Sequence, residues 1–181
     1  MSSKRLGKYA CLEFERRFLL RELPSDLAGQ TNGWLIIDRY IVDTRLRLRR
    51  MITLDSEQIV FKFGQKYHAP SQGGAETTLT NLYLDEKEYD CLSKLEAREV
   101  VKRRYRYVNR GLEYGIDVFE GELSGLILAE LECETESDCE RLQTPSFALR
   151  EVTDDLFFRG GFLAKLTRAE FEAGIARRLH E

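Results

Sequence analysis

Four short segments of this 181-residue chain place charged residues at alternate positions. Glu13, Glu15 and Arg17 form one set; Arg45, Arg47 and Arg49 a second; Lys102, Arg104 and Arg106 a third; Glu130, Glu132 and Glu134 a fourth. Lys62 stands alone between Phe61 and Phe63. Residues two apart in a strand point to the same side, so each set shares one face if its segment is extended. Such faces are ordinary on the solvated side of an antiparallel sheet. Stacked like charges repel, however, and are tolerated where an opposite charge sits between them. A divalent cation would answer the carboxylates through oxygen ligands. A polyphosphate would answer the Arg and Lys groups, because guanidinium forks match phosphate oxygens. Both would be served at once if the sheet closed into a barrel with these faces toward one lumen.

The elements that must carry these residues are mostly strands. Period-2 alternation predicts strands over residues 9–20, 35–42, 44–51, 58–63, 77–84, 100–108, 114–120 and 126–134. Asp117 lies in the seventh of these. The Pro, Ser and Gly residues of 68–74, with His68 among them, mark a loop. Tyr89, Leu92 and Leu95 recur at helical spacing, which predicts a helix over 85–98. Thr167 followed by Glu170 is a capping-box signature, and a helix over about 167–179 fits it. Strands without regular strand–helix alternation argue against a doubly wound parallel sheet. They point to a mostly β, α+β chain: an antiparallel sheet or barrel of about eight strands with helices attached.

Composition agrees with one domain over residues 1–181 and bounds its partners. A formal net charge of −3 argues against a dedicated nucleic-acid binder. Residues 1–8 carry positive charge with no apolar stretch behind them, and no run of about 18 apolar residues follows anywhere. The expectation is a cytoplasmic protein that meets neither membrane nor nucleic acid. Cys11, Cys91, Cys133 and Cys139 contain no CxxC pair and read as reduced thiols; a Cys133–Cys139 pairing is open but unprompted.

The motifs, in order, resemble the CYTH domain of the triphosphate tunnel metalloenzymes. Glu13-Phe14-Glu15-Arg16-Arg17 is similar to that family's ExExK strand, and Arg45-Leu46-Arg47 to its RxR strand. Phe61-Lys62-Phe63-Gly64 and Lys102-Arg103-Arg104-Tyr105 resemble its two Lys-bearing strands. Residues 115–121 around Asp117 and 125–132 around Glu130 and Glu132 resemble its aspartate and closing strands. Pro145 and Glu151-Val152-Thr153 resemble its C-terminal turn. Two departures stand out. Arg17 replaces Lys, and Arg grips phosphate but cannot act as a base. Glu76 alone stands where the family often has several acidic residues.

The resemblance implies an eight-stranded antiparallel barrel forming a polar tunnel, with a core over about 10–163. It implies hydrolysis of a small-molecule triphosphate with Mg²⁺ or Mn²⁺, inorganic triphosphate foremost. Glu13, Glu15, Glu130 and Glu132 are then the catalytic metal ligands. Asp117 is a further ligand or a partner that fixes an Arg. Arg17, Arg45, Arg47, Lys62, Lys102 and Arg104 bind the triphosphate. Arg49, Arg106 and Glu134 read as rim residues, and Lys165 as a possible neighbour of one mouth. The alternatives are an adenylate cyclase of the same family and a non-catalytic polyphosphate or nucleotide sensor. The chain is expected to act as a monomer or homodimer.

Overall fold

The computed structural model describes residues 10–27, 29–67 and 76–180. Nine strands follow in order: β1 (Cys11–Leu19), β2 (Trp34–Ile41), β3 (Leu46–Thr53), β4 (Ile59–Tyr67), β5 (Glu76–Leu84), β6 (Ala97–Asn109), β7 (Leu112–Phe119), β8 (Ile127–Cys133) and β9 (Arg150–Glu151). Four helices are α1 (Glu86–Leu92), α2 (Glu136–Arg141), α3 (Gly160–Leu163) and α4 (Arg168–His180). The sheet runs β5-β4-β3-β2-β6-β7-β8-β1, and β1 pairs back to β5. Every pairing is antiparallel. The eight strands therefore close as a barrel, as expected, and no edge is left open among them. The ninth strand, which the alternation did not reveal, lies outside against β1.

Arg16 explains why so short a strand docks there. It points outward from β1, its Nε donates to Glu151 at 2.9 Å, and an Nη donates to the Cys139 carbonyl at 3.1 Å. The outer side of β1, β7 and β8 carries Phe18, Ile116, Ala129 and Leu131, all buried. Leu27 from a short 3-10 turn, Leu142 at the end of α2 and Phe147 beyond it cover this face. Tyr107 meets Phe147 edge-on at 5.1 Å. A second apolar cluster fills one end of the barrel. Leu19, Val100, Phe119 and Leu128 reach it from the strands, and Phe157, Phe158, Leu163 and Phe171 from the C-terminal segment.

Three expectations need correction. The helix over 85–98 is α1 alone. Asp85 caps it in a box with Glu88, but it ends at Leu92, where the Ser93 N–H bonds the Tyr89 carbonyl. The Val42 N–H then takes the Glu96 carbonyl at 3.0 Å, and sheet pairing claims Ala97 and Arg98. The helical spacing of Tyr89 and Leu92 ran on by chance to Leu95, which is exposed. β3 begins at Leu46, because Asp43 adopts a positive φ and turns the chain just before it. Cys133 and Cys139 form a disulfide across a 5.6 Å Cα separation, tying β8 to α2. The reading of all four cysteines as reduced thiols therefore holds only for Cys11 and Cys91. The Thr167–Glu170 cap is present: the Thr167 N–H donates to Glu170 Oε2 at 2.9 Å. No helix among the described residues is long and apolar enough to cross a membrane.

Candidate active site in the barrel lumen

Residues directly opposite across an antiparallel ladder share a face. The register therefore shows which side chains the barrel gathers. Glu15 faces Glu132 and Arg17 faces Glu130 between β1 and β8. Glu130 lies opposite Gly115, and Asp117 opposite Arg104. On the far side Asp38 opposes Arg49, Arg49 opposes Lys62, and Gly64 opposes Asn81. One continuous inner surface results, and the charged sets of separate strands meet on it.

Two cavities occupy this lumen. The first, of about 610 Å³, is lined by Glu13, Glu15, Arg17, Arg45, Arg47, Lys62, Lys102, Arg104 and Glu130 among others. The second, of about 570 Å³, shares Glu13, Glu15, Arg104 and Glu130 with the first and adds Trp34, Arg106, Glu113 and Glu132. Leu156, Phe158 and α3 close over the first cavity, and Lys165 joins its wall. Gly160 starts α3 directly on Tyr40, where a Cβ would stand 1.9 Å from the phenol oxygen. His68 and the side chain of Glu76 lie outside the described residues.

An ion-pair chain runs between the two cavities. Lys66 Nζ sits 2.6 Å from Glu13 and 3.0 Å from Glu15. Arg17 bonds Glu15, reaches Glu130 at 3.2 Å and donates to the Phe158 carbonyl at 3.0 Å. Glu130 also receives Arg104. Arg104 lies flat on Asp117, with bonds of 2.7 and 2.6 Å, and Lys102 takes the same carboxylate at 2.5 Å. Gly115 makes room for this: a Cβ there would come within 3.3 Å of Arg104 Nε. Both Asp117 oxygens are thus engaged by cations, the arrangement of a partner that fixes an Arg. Across the lumen Asp38, 1% exposed, holds Arg49 at 2.6 and 2.7 Å and Arg47 at 3.5 Å.

Burial and neighbouring charge set the protonation states. Burial and Glu130 push the Glu15 carboxyl up, but Arg17 and Lys66 outweigh them, and it ends below the ordinary range. Burial also opposes ionisation of Glu130, yet Arg104, Lys102 and Arg17 hold it well below that range. Burial alone would raise Asp38; Arg49 and Arg47 reverse the sign and leave it strongly depressed. Lys102 goes down, because burial outweighs the pull of Asp117 and Arg104 adds repulsion. Glu132 goes up through partial burial and the nearby negative charges of Glu13 and Glu15.

Every residue expected in the site lines the lumen or bonds one that does. Arg45 contributes from the turn before β3 rather than from the strand. Arg49 corrects the rim reading: it is inside, clamped on Asp38. Arg106 fits that reading, with its side chain 70% exposed and paired to Glu113. Asp38, Lys66 and Arg159 were missed. Lys66 had a signal, since it continues the Lys62–Gly64 face by period 2. Asp38 is opposite Arg49, but nothing marks that pairing before the register is known. Arg159 sits in a turn with no periodicity; its Nε is buried without a hydrogen-bond partner, and Arg17 is close enough to lower its pKa further after burial.

Four carboxylates on adjoining positions supply hard oxygen donors suited to Mg²⁺ or Mn²⁺. The elevated Glu132, pressed by Glu13 and Glu15, fits a place for added positive charge. Among the described residues no three acidic, His or Cys side chains already converge as a ligand set. Lys66, Arg17 and Arg104 instead hold the carboxylate oxygens.

The structure is of a definite class: a closed antiparallel barrel with cations and carboxylates crowded in its lumen. Comparison with known proteins agrees. Over 160 residues the chain is 28% identical to a Nitrosomonas europaea protein named inorganic triphosphatase, spanning 84% of this chain and 96% of that one. It also matches crystal structures described as the hypothetical protein NE1496 and the inorganic triphosphatase NE1496. Their TM-scores are 0.57 and 0.55, both at 24% identity. The matches cover 86% and 84% of this chain and 99% and 93% of those. At that identity the likeness establishes the fold. No family model matches the chain.

Proposed function

We propose that this chain is a triphosphatase of the CYTH, or triphosphate tunnel, type. It hydrolyses a phosphoanhydride bond of a small triphosphate, inorganic triphosphate foremost, with Mg²⁺ or Mn²⁺. The charge balance of the first cavity carries the reading. Ten Lys and Arg side chains against four carboxylates line the first cavity, an excess of six positive charges among the described residues. Asp117 behind the wall lowers it to five. A triphosphate near neutral pH carries about four to five negative charges, because the last proton of a phosphate has a pKa near 6. The unpartnered Arg159 Nε supports the same reading, since a buried donor without an acceptor costs free energy that an anion would recover. The similarity to the Nitrosomonas protein named inorganic triphosphatase supports the substrate class.

In this reading Arg45, Arg47, Lys62, Lys102, Arg104 and Arg17 bind the phosphates. Asp38 and Asp117 hold Arg49, Lys102 and Arg104 in one orientation, so little reorganisation is needed when charge shifts in the transition state. Glu13, Glu15, Glu130 and Glu132 hold the divalent cation. That cation, when bound, withdraws charge from phosphate oxygens and lowers the pKa of an attacking water. The aromatic and aliphatic side chains Phe119, Leu128, Phe158 and Phe162 limit bulk water at the closed end. Arg17, held by Glu15 and Glu130, binds without moving a proton.

The test is a substrate panel. The purified chain is incubated with inorganic triphosphate, thiamine triphosphate and ATP under Mg²⁺ or Mn²⁺, and phosphate, pyrophosphate and cyclic AMP are followed. Fastest phosphate release from inorganic triphosphate is expected. Cyclic AMP with pyrophosphate would instead make the chain a cyclase, and binding without turnover would make it a sensor.

A further inference from the structure

Glu13 and Glu15 are neutralised from within the chain, and the group that does so is built differently from the others. Lys66 bonds both carboxylates, at 2.6 and 3.0 Å. It reaches them across the lumen from β4, while Glu13 and Glu15 stand on β1 with β5 between. Arg17 and Arg104 are anchored elsewhere as well, by the Phe158 carbonyl and by Asp117. Lys66 is less enclosed than Arg17, with side chains 27% and 13% exposed. It also carries a flexible four-carbon stem. Its face of β4 continues to Lys62 in the first cavity, and its two partners sit where the cavities meet.

We propose that Lys66 is an internal counter-ion that competes with a divalent cation for Glu13 and Glu15. A triphosphate in the first cavity draws Lys66 toward itself, and the carboxylates it leaves then take the cation. This rests on the metal-dependent reading above. Two ligands that share one movable charge become linked, and the linkage is reciprocal: the anion tightens the cation as much as the cation tightens the anion. Cation binding before the anion is thereby kept weak. A purely structural bridge between β4 and β1 would add nothing to the direct attraction between cation and phosphate.

The experiment titrates Mn²⁺ by calorimetry into wild type, Lys66→Met and Lys66→Gln, alone and with a non-hydrolysable imidotriphosphate. Lys62→Met removes the same charge from the lumen without touching Glu13 or Glu15, and serves as the control. Without anion, Mn²⁺ should bind the Lys66 variants at least about tenfold more tightly than wild type, within the range usual for coupled sites. Lys62→Met should change it less than about threefold. In wild type the analogue should tighten Mn²⁺ by more than about tenfold, and in the Lys66 variants that gain should shrink several-fold, to what direct attraction between the cation and the phosphates supplies. Folded Lys66 variants that bind Mn²⁺ no more tightly than wild type would overturn the proposal alone. Should the variants not fold, equal Mn²⁺ affinity in wild type with and without the analogue overturns it. If wild type takes no Mn²⁺ under either condition, the metal-dependent reading falls first and this proposal with it.

Discussion

Asp117→Asn removes one charge and almost no volume from the most enclosed carboxylate of the lumen. Asp117 is 0% exposed, Arg104 lies on it with bonds of 2.7 and 2.6 Å, and Lys102 stands 2.5 Å away. Asparagine leaves both cations with no full counter-charge there, although Glu130 still holds Arg104. Removing one partner of a buried pair costs about 3–5 kcal/mol. The remaining Glu130 contact argues for the lower end, about 3 kcal/mol. For a chain of this size each kcal/mol moves Tm by about 2–4 °C, so the variant should melt about 6–12 °C lower. Lys102 gives a second signature. Burial already lowers it, and losing Asp117 lowers it further. A lysine depressed in the folded state binds fewer protons there than when unfolded, so stability rises with pH up to the unfolded value near 10.4. The Asp117→Asn deficit should therefore shrink between pH 7 and pH 10. Triphosphate without metal should raise the Tm of the variant more than that of wild type, by supplying the missing negative charge. Thermal melts followed by circular dichroism at both pH values check all three. A variant within about 2 °C of wild type at pH 7 would refute the argument that Asp117 balances the lumen cations.

Glu130→Gln should abolish metal-dependent turnover while triphosphate still binds; retained turnover would remove Glu130 from the metal site. The Asp38 carboxyl is depressed in the folded chain by Arg49 and Arg47 against the effect of burial. Its contribution to stability is full above the unfolded value of about 3.9 and is lost as pH falls toward the folded one. Asp38→Asn should thus lower stability at pH 7 and flatten the acid limb of the melt profile, read by urea titration from pH 7 to pH 3. Reducing Cys133–Cys139, or Cys133→Ser, should cost about 2 kcal/mol for so short a loop, with barrel and turnover retained. Loss of turnover on reduction, measured beside the melt, would show that the disulfide matters to the site as well.

The strands were legible because each alternates charge with bulk: Glu13 and Glu15 flank Phe14, and Lys102 and Arg104 precede Tyr105 and Tyr107. Closure was legible only as a way to reconcile those faces, since no residue announces that β1 pairs with β5. Asp38 was hidden among Leu35, Ile36 and Ile37, and its meaning depends on the register that puts Arg49 opposite. Arg49 was read as rim because distance along the barrel axis does not appear in a period-2 pattern. Lys66 stood beside the loop over 68–74, and the step from Lys62 through Gly64 had to be followed to reach it. The Arg16–Glu151 clamp and β9 have no local signature; a two-residue strand exists only because its partner is already there. The disulfide depends on α2 turning Cys139 back onto β8, which the spacing of six residues permits but does not require.

Asp117 shows how structure sharpens a residue that sequence could only shortlist. Ligand or anchor were equal readings of an aspartate in a strand. With both oxygens committed to Lys102 and Arg104, the anchor reading accounts for its burial and for the Gly115 beside it. In the function proposed above, the ion-pair chain from Lys66 to Lys102 is one device, in which carboxylates and cations hold each other until a polyanion and a divalent cation replace the internal partners.

The central claim is that this lumen hydrolyses a triphosphate with a divalent cation. The most direct measurement is phosphate release from inorganic triphosphate by the purified chain, with Mg²⁺ or Mn²⁺ and again with excess EDTA. The account predicts one orthophosphate and one pyrophosphate per triphosphate consumed with metal, and none with EDTA. Metal-independent release, or none under either condition while triphosphate binds, would contradict it.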